Sequence, residues 1–178
     1  RVSANTVVEN PQVAALVERY EEDRRLYIVR EQKKREQAAL LQRKAGNLYL
    51  GSSWCGSCHG EIEKAWLKSR HAEAISSLSA KGRDNDPACL ACHVTGLNDN
   101  HAVGGFISME NNPKMSGVQC EVCHGPGGRH ASFPGQVKMR SVKEETCRSC
   151  HNHDTDPTFD FKRSLNIIDH GKMPQGRK

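Results

Sequence analysis

The sequence predicts a mainly α-helical protein, with one long N-terminal helix followed by short helices and loops. Only 36% of its 178 residues are hydrophobic and only 5% are aromatic. So few apolar side chains cannot build a generous core by themselves. The second observation is a charged stretch over residues 11–45 that favours a continuous helix, with Asn10 as N-cap, Pro11 in the first helical position and Gly46 as a stop signal.

The third observation is a motif, Cys-x-x-Cys-His, which occurs four times and uses all eight cysteines. This pattern is the attachment signature of c-type haem: the two thiols bond to the vinyl groups of one porphyrin, and the adjacent histidine ligates the iron. The motifs supply four attachment pairs and four proximal ligands, namely Cys55, Cys58 and His59; Cys89, Cys92 and His93; Cys120, Cys123 and His124; and Cys147, Cys150 and His151.

Three other interpretations of the cysteines were weighed. Paired Cys-x-x-Cys motifs form zinc ribbons, a single one can be a redox disulfide, and eight cysteines can form a disulfide framework. None of these requires a histidine directly after the second cysteine, and the chain has only nine histidines. The sequence therefore predicts a tetrahaem cytochrome c with four covalently bound haem c groups, whose porphyrins supply the missing apolar bulk.

We expect two parts, a long helix or linker over residues 1–47 and a tetrahaem domain over residues 48–178. A further helix is predicted over roughly 61–78, where Leu67, His71, Ile75 and Leu78 share one stripe. His71 then lies among apolar neighbours. A histidine there is usually a core residue, but beside four irons we expect it to be an axial ligand.

Five histidines remain as candidate distal ligands: His71, His101, His130, His153 and His170. Bis-histidine ligation stabilises ferric iron more than Met/His ligation does, so low potentials are expected. Met109, Met115, Met139 and Met173 are alternative ligands, but we expect them to be packing or loop residues. His153 follows proximal His151 by two residues and would have to reach a different haem, or none.

The charge balance gives little reason to expect a nucleic acid partner. A ferric haem with two ionised propionates carries about −1, so four would bring the formal +5 close to +1. No apolar run approaches the roughly 20 residues of a transmembrane helix. The chain begins at Arg1 without a leader. Because haem is attached outside the cytoplasmic membrane, we expect a processed periplasmic or extracellular protein.

Several segments resemble the cytochrome c-554 family of tetrahaem cytochromes. They are residues 117–127, Tyr49-Leu50-Gly51 before the first motif, Trp66 followed by His71-Ala72, and residues 92–96. The resemblance implies a mainly helical fold around closely stacked haems. It also implies that His130 ligates the first haem, His71 the fourth and His170 the third, whereas the second haem, on His93, is five-coordinate in the family's best-known member.

This sequence departs from the family in its long N-terminal helix, its shorter C-terminal end and two additional histidines, His101 and His153. Either histidine is a candidate to close the second haem, from the same chain or from a neighbour. Three functions remain open. The first is that of an electron carrier between redox partners, and the second is that of a subunit in an extracellular conducting filament of identical chains. The alternative is an enzyme that reduces a small nitrogen oxide at an open second haem. No catalytic residues are assigned, and we expect the protein not to be an enzyme.

Overall fold

A computed structural model describes residues 10–42, 47–97, 99 and 102–170. These residues form nine α-helices and a short 3₁₀ turn at Pro113–Met115, with no β-strand beyond two isolated bridges. The predicted mainly α-helical fold is confirmed. The helices are α1 (Pro11–Gln42), α2 (Ser52–Gly56), α3 (Gly60–Trp66), α4 (Ser76–Ser79), α5 (Pro87–His93), α6 (Cys120–His124), α7 (Gly128–Ser132), α8 (Glu144–Arg148) and α9 (Phe161–Ile168).

Helix α1 begins where the sequence predicts. Pro11 is its first residue, and the side-chain oxygen of Asn10 accepts a hydrogen bond from the backbone N–H of Gln12 at 3.0 Å. The predicted stop at Gly46 lies outside the described residues. In the described part of the chain, no helix has both the length and the apolar character needed to cross a membrane.

Internal contacts divide the chain into two compact units, residues 1–38 and residues 39–178. The first unit contains most of α1, and the second contains α2 to α9 and all four Cys-x-x-Cys-His motifs. The boundary that the sequence suggests, between residues 47 and 48, stays a prediction.

The predicted continuous helix over residues 61–78 is wrong. Helix α3 ends at Trp66, turns follow, and α4 begins only at Ser76. Distant groups contact two backbone carbonyls in these turns. The carbonyl of His71 accepts a hydrogen bond from the N–H of Val118 at 2.8 Å, and the carbonyl of Ala74 lies 2.7 Å from Nδ1 of His93. These tertiary bonds replace helical ones, so the chain turns where propensity alone favours a helix.

The side-chain core of the second unit is small, as the composition predicts. Its buried apolar members are Tyr49, Ile75, Leu78, Leu90, Val94, Phe106 and Met115. Met115 is fully buried in this cluster, in keeping with its expected packing role.

A buried polar cluster joins the segment before the first motif to the third motif. The carboxylate of Glu121, which is 1% exposed, accepts hydrogen bonds from three backbone N–H groups, those of Leu50, Gly51 and Gly127, at 2.7–3.0 Å. The amide of buried Gln119 accepts from the N–H of Ser52 at 2.7 Å and donates to two carbonyls. These bonds fix α2 relative to α6, and with them the first and third motifs.

Candidate haem-binding sites

The four Cys-x-x-Cys-His motifs lie in or directly after short helices. The second and third occupy α5 and α6, the first runs from α2 into the following turn, and the fourth runs from α8 into the following turn. In the first motif, the backbone N–H of His59 donates a hydrogen bond to the carbonyl of Cys55 at 2.8 Å, as in an α-helix. The fourth motif has the same bond between its histidine and its first cysteine, at 2.9 Å. Residues four apart on a helical turn share a face, so first cysteine and histidine point the same way. All eight thiols are free, as attachment to a vinyl group requires.

Three of the four motif histidines face a second imidazole from elsewhere in the chain. The ring centroids of His59 and His130 are 6.3 Å apart, those of His71 and His151 are 6.0 Å apart, and those of His124 and His170 are 5.6 Å apart. The ring planes make angles of 20°, 58° and 72° in these three pairs. These are the partners that the resemblance implied for the first, fourth and third haems.

The spacing of the rings fits one metal between each pair. Two imidazoles bound to opposite sides of a metal, each through a nitrogen about 2.0 Å from it, have ring centres about 6 Å apart. The described histidines, cysteines and carboxylates form no group of three or more suited to holding a metal ion. The ligands thus occur as pairs, which suits the two axial positions of an iron whose other four ligands belong to a porphyrin.

His71 reaches its partner because a glycine lets two segments approach closely. Gly117 has a φ of +80°, and a Cβ there would lie 2.6 Å from the carbonyl oxygen of Ala72. This approach lets Val118 donate to the carbonyl of His71, while the indole N–H of Trp66 donates to the carbonyl of Val118 at 2.9 Å. Burial, and then the proximity of His151, lower the pKa of His71, so its imidazole is held in the neutral form that binds metals.

Five of the candidate axial histidines have an Nδ1 partner that leaves Nε2 free for a metal. Four of these Nδ1 atoms lie 2.6–3.2 Å from a backbone carbonyl oxygen; they belong to His93, His124, His130 and His170. Nδ1 of His151 instead lies 2.9 Å from a carboxylate oxygen of Asp156. Nδ1 of His59 is buried without a hydrogen-bond partner.

The second motif differs from the other three. Among the described residues, no imidazole is paired with the ring of His93, whose Nδ1 contacts the carbonyl of Ala74 and, at 3.4 Å, the hydroxyl of Ser77. His101 lies outside the described residues. His153 is 94% exposed, and its Nδ1 lies 3.6 Å from a carboxylate oxygen of the neighbouring Asp154. Closure of the second site by His101 or His153 therefore stays a prediction.

The thiols of different motifs lie close together, and they define which motifs are neighbours. Interaction with the thiol of Cys120, followed by burial, raises the pKa of Cys55. Burial, followed by Cys150, raises the pKa of Cys92 to about 11. Burial raises the pKa of Cys123 likewise, to about 11, with Cys147 as the next cause. The motifs are therefore adjacent in the order first, third, fourth, second.

Sequence reasoning missed two functional carboxylates. Asp156 lies five residues after the proximal His151, a spacing that returns its side chain to the ring across a tight loop. Glu121 occupies the first of the two unspecified positions in the third Cys-x-x-Cys-His motif. Nothing in the pattern distinguishes it from a surface residue. The sequence features that mark these two carboxylates are an aspartate shortly after a motif histidine and a charged residue in a Gly-rich segment.

Part of this chain is similar in sequence to known cytochromes. Residues 54–125, which contain the first three motifs, match the family model of cytochrome c554 and c-prime. Cytochrome c-554 of Nitrosomonas europaea is 31% identical over 145 residues, covering 61% of this chain and 60% of that protein. Multiheme cytochrome MtrA of Shewanella baltica is 34% identical over 122 residues, covering 62% of this chain and 34% of that protein.

The chain thus spans less than two thirds of the length of either relative. The solved structure of reduced cytochrome c554 from Nitrosomonas europaea is 24% identical, covers 67% of this chain and 82% of that chain, and has a TM-score of 0.48. On the family model and the sequence identity, this chain is similar to the cytochrome c-554 family, and the similarity implies haem c as its covalent cofactor.

Proposed function

We propose that this protein transfers electrons through four covalently bound haem c groups, three of them ligated by two histidines. The observation that supports this most is the set of three imidazole pairs with centroids 5.6–6.3 Å apart, each containing one motif histidine. In each pair the motif supplies the proximal ligand and the two thiols, and a distant segment supplies the distal ligand, which is His130, His71 or His170.

When bound, each haem c supplies a one-electron Fe(III)/Fe(II) couple. The motif thiols would attach each haem, and the paired histidines of the first, third and fourth sites would hold its iron. The Nδ1 contacts of His93, His124 and His151 would orient the proximal rings of the second, third and fourth sites. Two imidazole ligands favour the ferric state, so we propose low potentials for these three sites. An iron with both axial positions filled has none for a substrate, which favours an electron-transfer protein over an enzyme.

The order of neighbouring motifs supports a continuous route for electrons. Because motifs adjacent in space hold their haems close together, the proposed path runs from the first site to the third, then the fourth, then the second. Electrons would enter and leave through partner redox proteins, or through identical subunits in an extracellular filament. We propose a periplasmic or extracellular location, since haem c attachment takes place outside the cytoplasmic membrane.

One observation favours a second candidate function. The ring of His93 faces no other imidazole among the described residues, so we propose the second site as the candidate for binding an exogenous ligand. The alternative activity is the reduction of a small nitrogen oxide at that iron. The two functions are distinguished by the coordination of the second iron in the assembled protein.

The cofactor load is the first test. Eight free thiols in four motifs should yield a chain with four haem additions and no remaining thiol. Intact-mass spectrometry of the denatured, reduced holoprotein measures this directly, and a redox titration should then account for four electrons per chain. A mass with fewer than four haem additions, or disulfides in their place, would contradict the tetrahaem proposal.

Coordination of the second site is the next test. If a second chain supplies the missing imidazole through exposed His153, the ferric holoprotein should show four low-spin irons when concentrated and one high-spin iron when diluted. His153→Ala should then keep that iron high-spin at every concentration, whereas the matched control Asp154→Ala should behave like the native chain. Electron microscopy of concentrated samples shows whether filaments form.

Two other outcomes decide against ligation between chains. A monomer with four low-spin irons at all concentrations indicates a ligand from the same chain, His101, and a soluble carrier. A monomer with a persistent high-spin iron that binds nitric oxide supports the enzyme alternative.

A further inference from the structure

One axial histidine has a hydrogen-bond partner unlike those of the others. Nδ1 of His151 lies 2.9 Å from a carboxylate oxygen of Asp156, whereas the Nδ1 atoms of His93, His124, His130 and His170 contact uncharged groups, in each case a backbone carbonyl and for His93 also the hydroxyl of Ser77. The fourth site therefore has a negatively charged acceptor behind its proximal ligand.

The loop between the two residues is built to hold this contact. The N–H of Asp156 donates to the carbonyl of Asn152 at 2.8 Å, and the side-chain oxygen of Asn152 accepts from the N–H groups of Asp154 and Thr155 at 3.0 and 3.2 Å. The hydroxyl of Thr155 closes the loop on the carbonyl of Cys150. A fixed backbone thus presents the Asp156 side chain to the ring.

An aromatic side chain fixes the ring of His151. Phe159 stacks on it with centroids 4.8 Å apart and planes 18° from parallel, and its N–H donates to the carbonyl of Asp156 at 3.1 Å. The guanidinium of Arg148 lies 5.5 Å from the Phe159 ring centre and is paired with Glu144 at 2.7 Å. The positive charge of Arg148 is therefore partly neutralised by Glu144.

A carboxylate acceptor changes the ligand strength of an imidazole. It polarises the Nδ1–H bond more than a neutral carbonyl does, which makes Nε2 a better donor to iron. It also adds a negative charge close to the metal. Both effects stabilise the ferric state relative to the ferrous state and lower the reduction potential.

We propose that Asp156 is a positioning residue that gives the fourth site, held by His71 and His151, the lowest potential of the three paired sites. The proposal rests on the proposed electron-transfer function and deepens it. Because the fourth motif lies between the third and second, an electron crossing the protein meets an uphill step inside the chain. Electrons held by the partly reduced protein accordingly lie on either side of the fourth site, at the first and third sites or at the second site.

The test is a redox titration of the holoprotein, monitored by optical and EPR spectroscopy, for native protein and Asp156→Asn. Asparagine keeps the size and an acceptor oxygen but removes the charge. We expect the ferric-to-ferrous equilibrium of one haem to shift about tenfold toward ferrous, which is about 59 mV for a one-electron couple. The other three midpoints should not move. Asp154→Asn, whose side chain is 95% exposed, is the matched control and should leave all four midpoints unchanged.

A conservative variant separates tuning from a merely structural role. Asp156→Glu retains the charge and should keep the midpoint near its native value, including in the event that the asparagine variant fails to assemble. Four unmoved midpoints in Asp156→Asn, or an equal shift of all four, would overturn the proposal. So would an Asp156→Glu variant whose fourth midpoint rises like that of the asparagine variant. Loss of haems from the native chain would instead contradict the electron-transfer function itself.

Discussion

Glu121→Ala should be the most destabilising single substitution in the second unit. Its carboxylate satisfies three backbone N–H groups, those of Leu50, Gly51 and Gly127, at a side chain only 1% exposed. Each buried donor left without a partner costs about 1–3 kcal/mol, so a loss of about 3 kcal/mol or more is expected. That is a large part of the stability of a typical domain. Denaturant unfolding of the holoprotein, followed by circular dichroism, measures it.

Glu61→Ala is the matched control for this substitution. Glu61 pairs with Lys64 at 2.8 Å on the exposed side of α3, and its removal should hardly move the unfolding midpoint. Glu121→Gln should fall between the two, since one amide oxygen still accepts but the NH₂ group faces backbone donors. Equal midpoints for Glu121→Ala and Glu61→Ala would show that the Glu121 carboxylate does not hold the first and third motifs together.

His71→Ala should convert one low-spin iron to high spin and leave the others as they are. The ring of His71 lies 6.0 Å from that of His151, and its lowered pKa, caused mainly by burial, keeps it neutral and able to ligate. The 58° angle between these planes predicts a strongly anisotropic low-spin EPR signal, whereas the nearly parallel pair of His59 and His130 predicts a rhombic one. The third pair, at 72°, predicts a second anisotropic signal, so one of two such signals should disappear from the variant.

His153→Ala in dilute solution is the control, because the side chain of His153 is 94% exposed. It should retain the low-spin signals of all three paired sites. A His71→Ala protein whose low-spin signals are unchanged would show that His71 is only a packing residue. Added imidazole should restore the low-spin state if the deleted ring is the distal ligand.

The motifs made the chemistry of this protein predictable, because covalent haem attachment requires fixed residue types at fixed spacing. The distal histidines were not predictable from spacing alone. They come from separate parts of the chain, and only the family resemblance assigned His71, His130 and His170 to particular proximal partners. The structure brings these three rings to those partners.

Helix propensity predicted the wrong local structure where distant groups form hydrogen bonds with backbone carbonyls. Residues 67–75 form turns, not helix, because the carbonyls of His71 and Ala74 are engaged by distant groups. The contacts of Asp156 with His151 and of Glu121 with backbone N–H groups also depend on loop geometry. No hydrophobic period or motif encodes such geometry, so sequence patterns did not reveal these two carboxylates.

The pairing of distant histidines has a consequence for how the protein matures. When the chain reaches the compartment of haem attachment N-terminus first, His59 arrives well before His130, and His124 well before His170, which follows all four motifs. A chain with its first haems attached would then hold incompletely ligated iron until its last segments arrive. Contacts between such distant residues form slowly. Newly attached haems thus pass through a vulnerable interval, during which small exogenous ligands compete with the chain's own histidines.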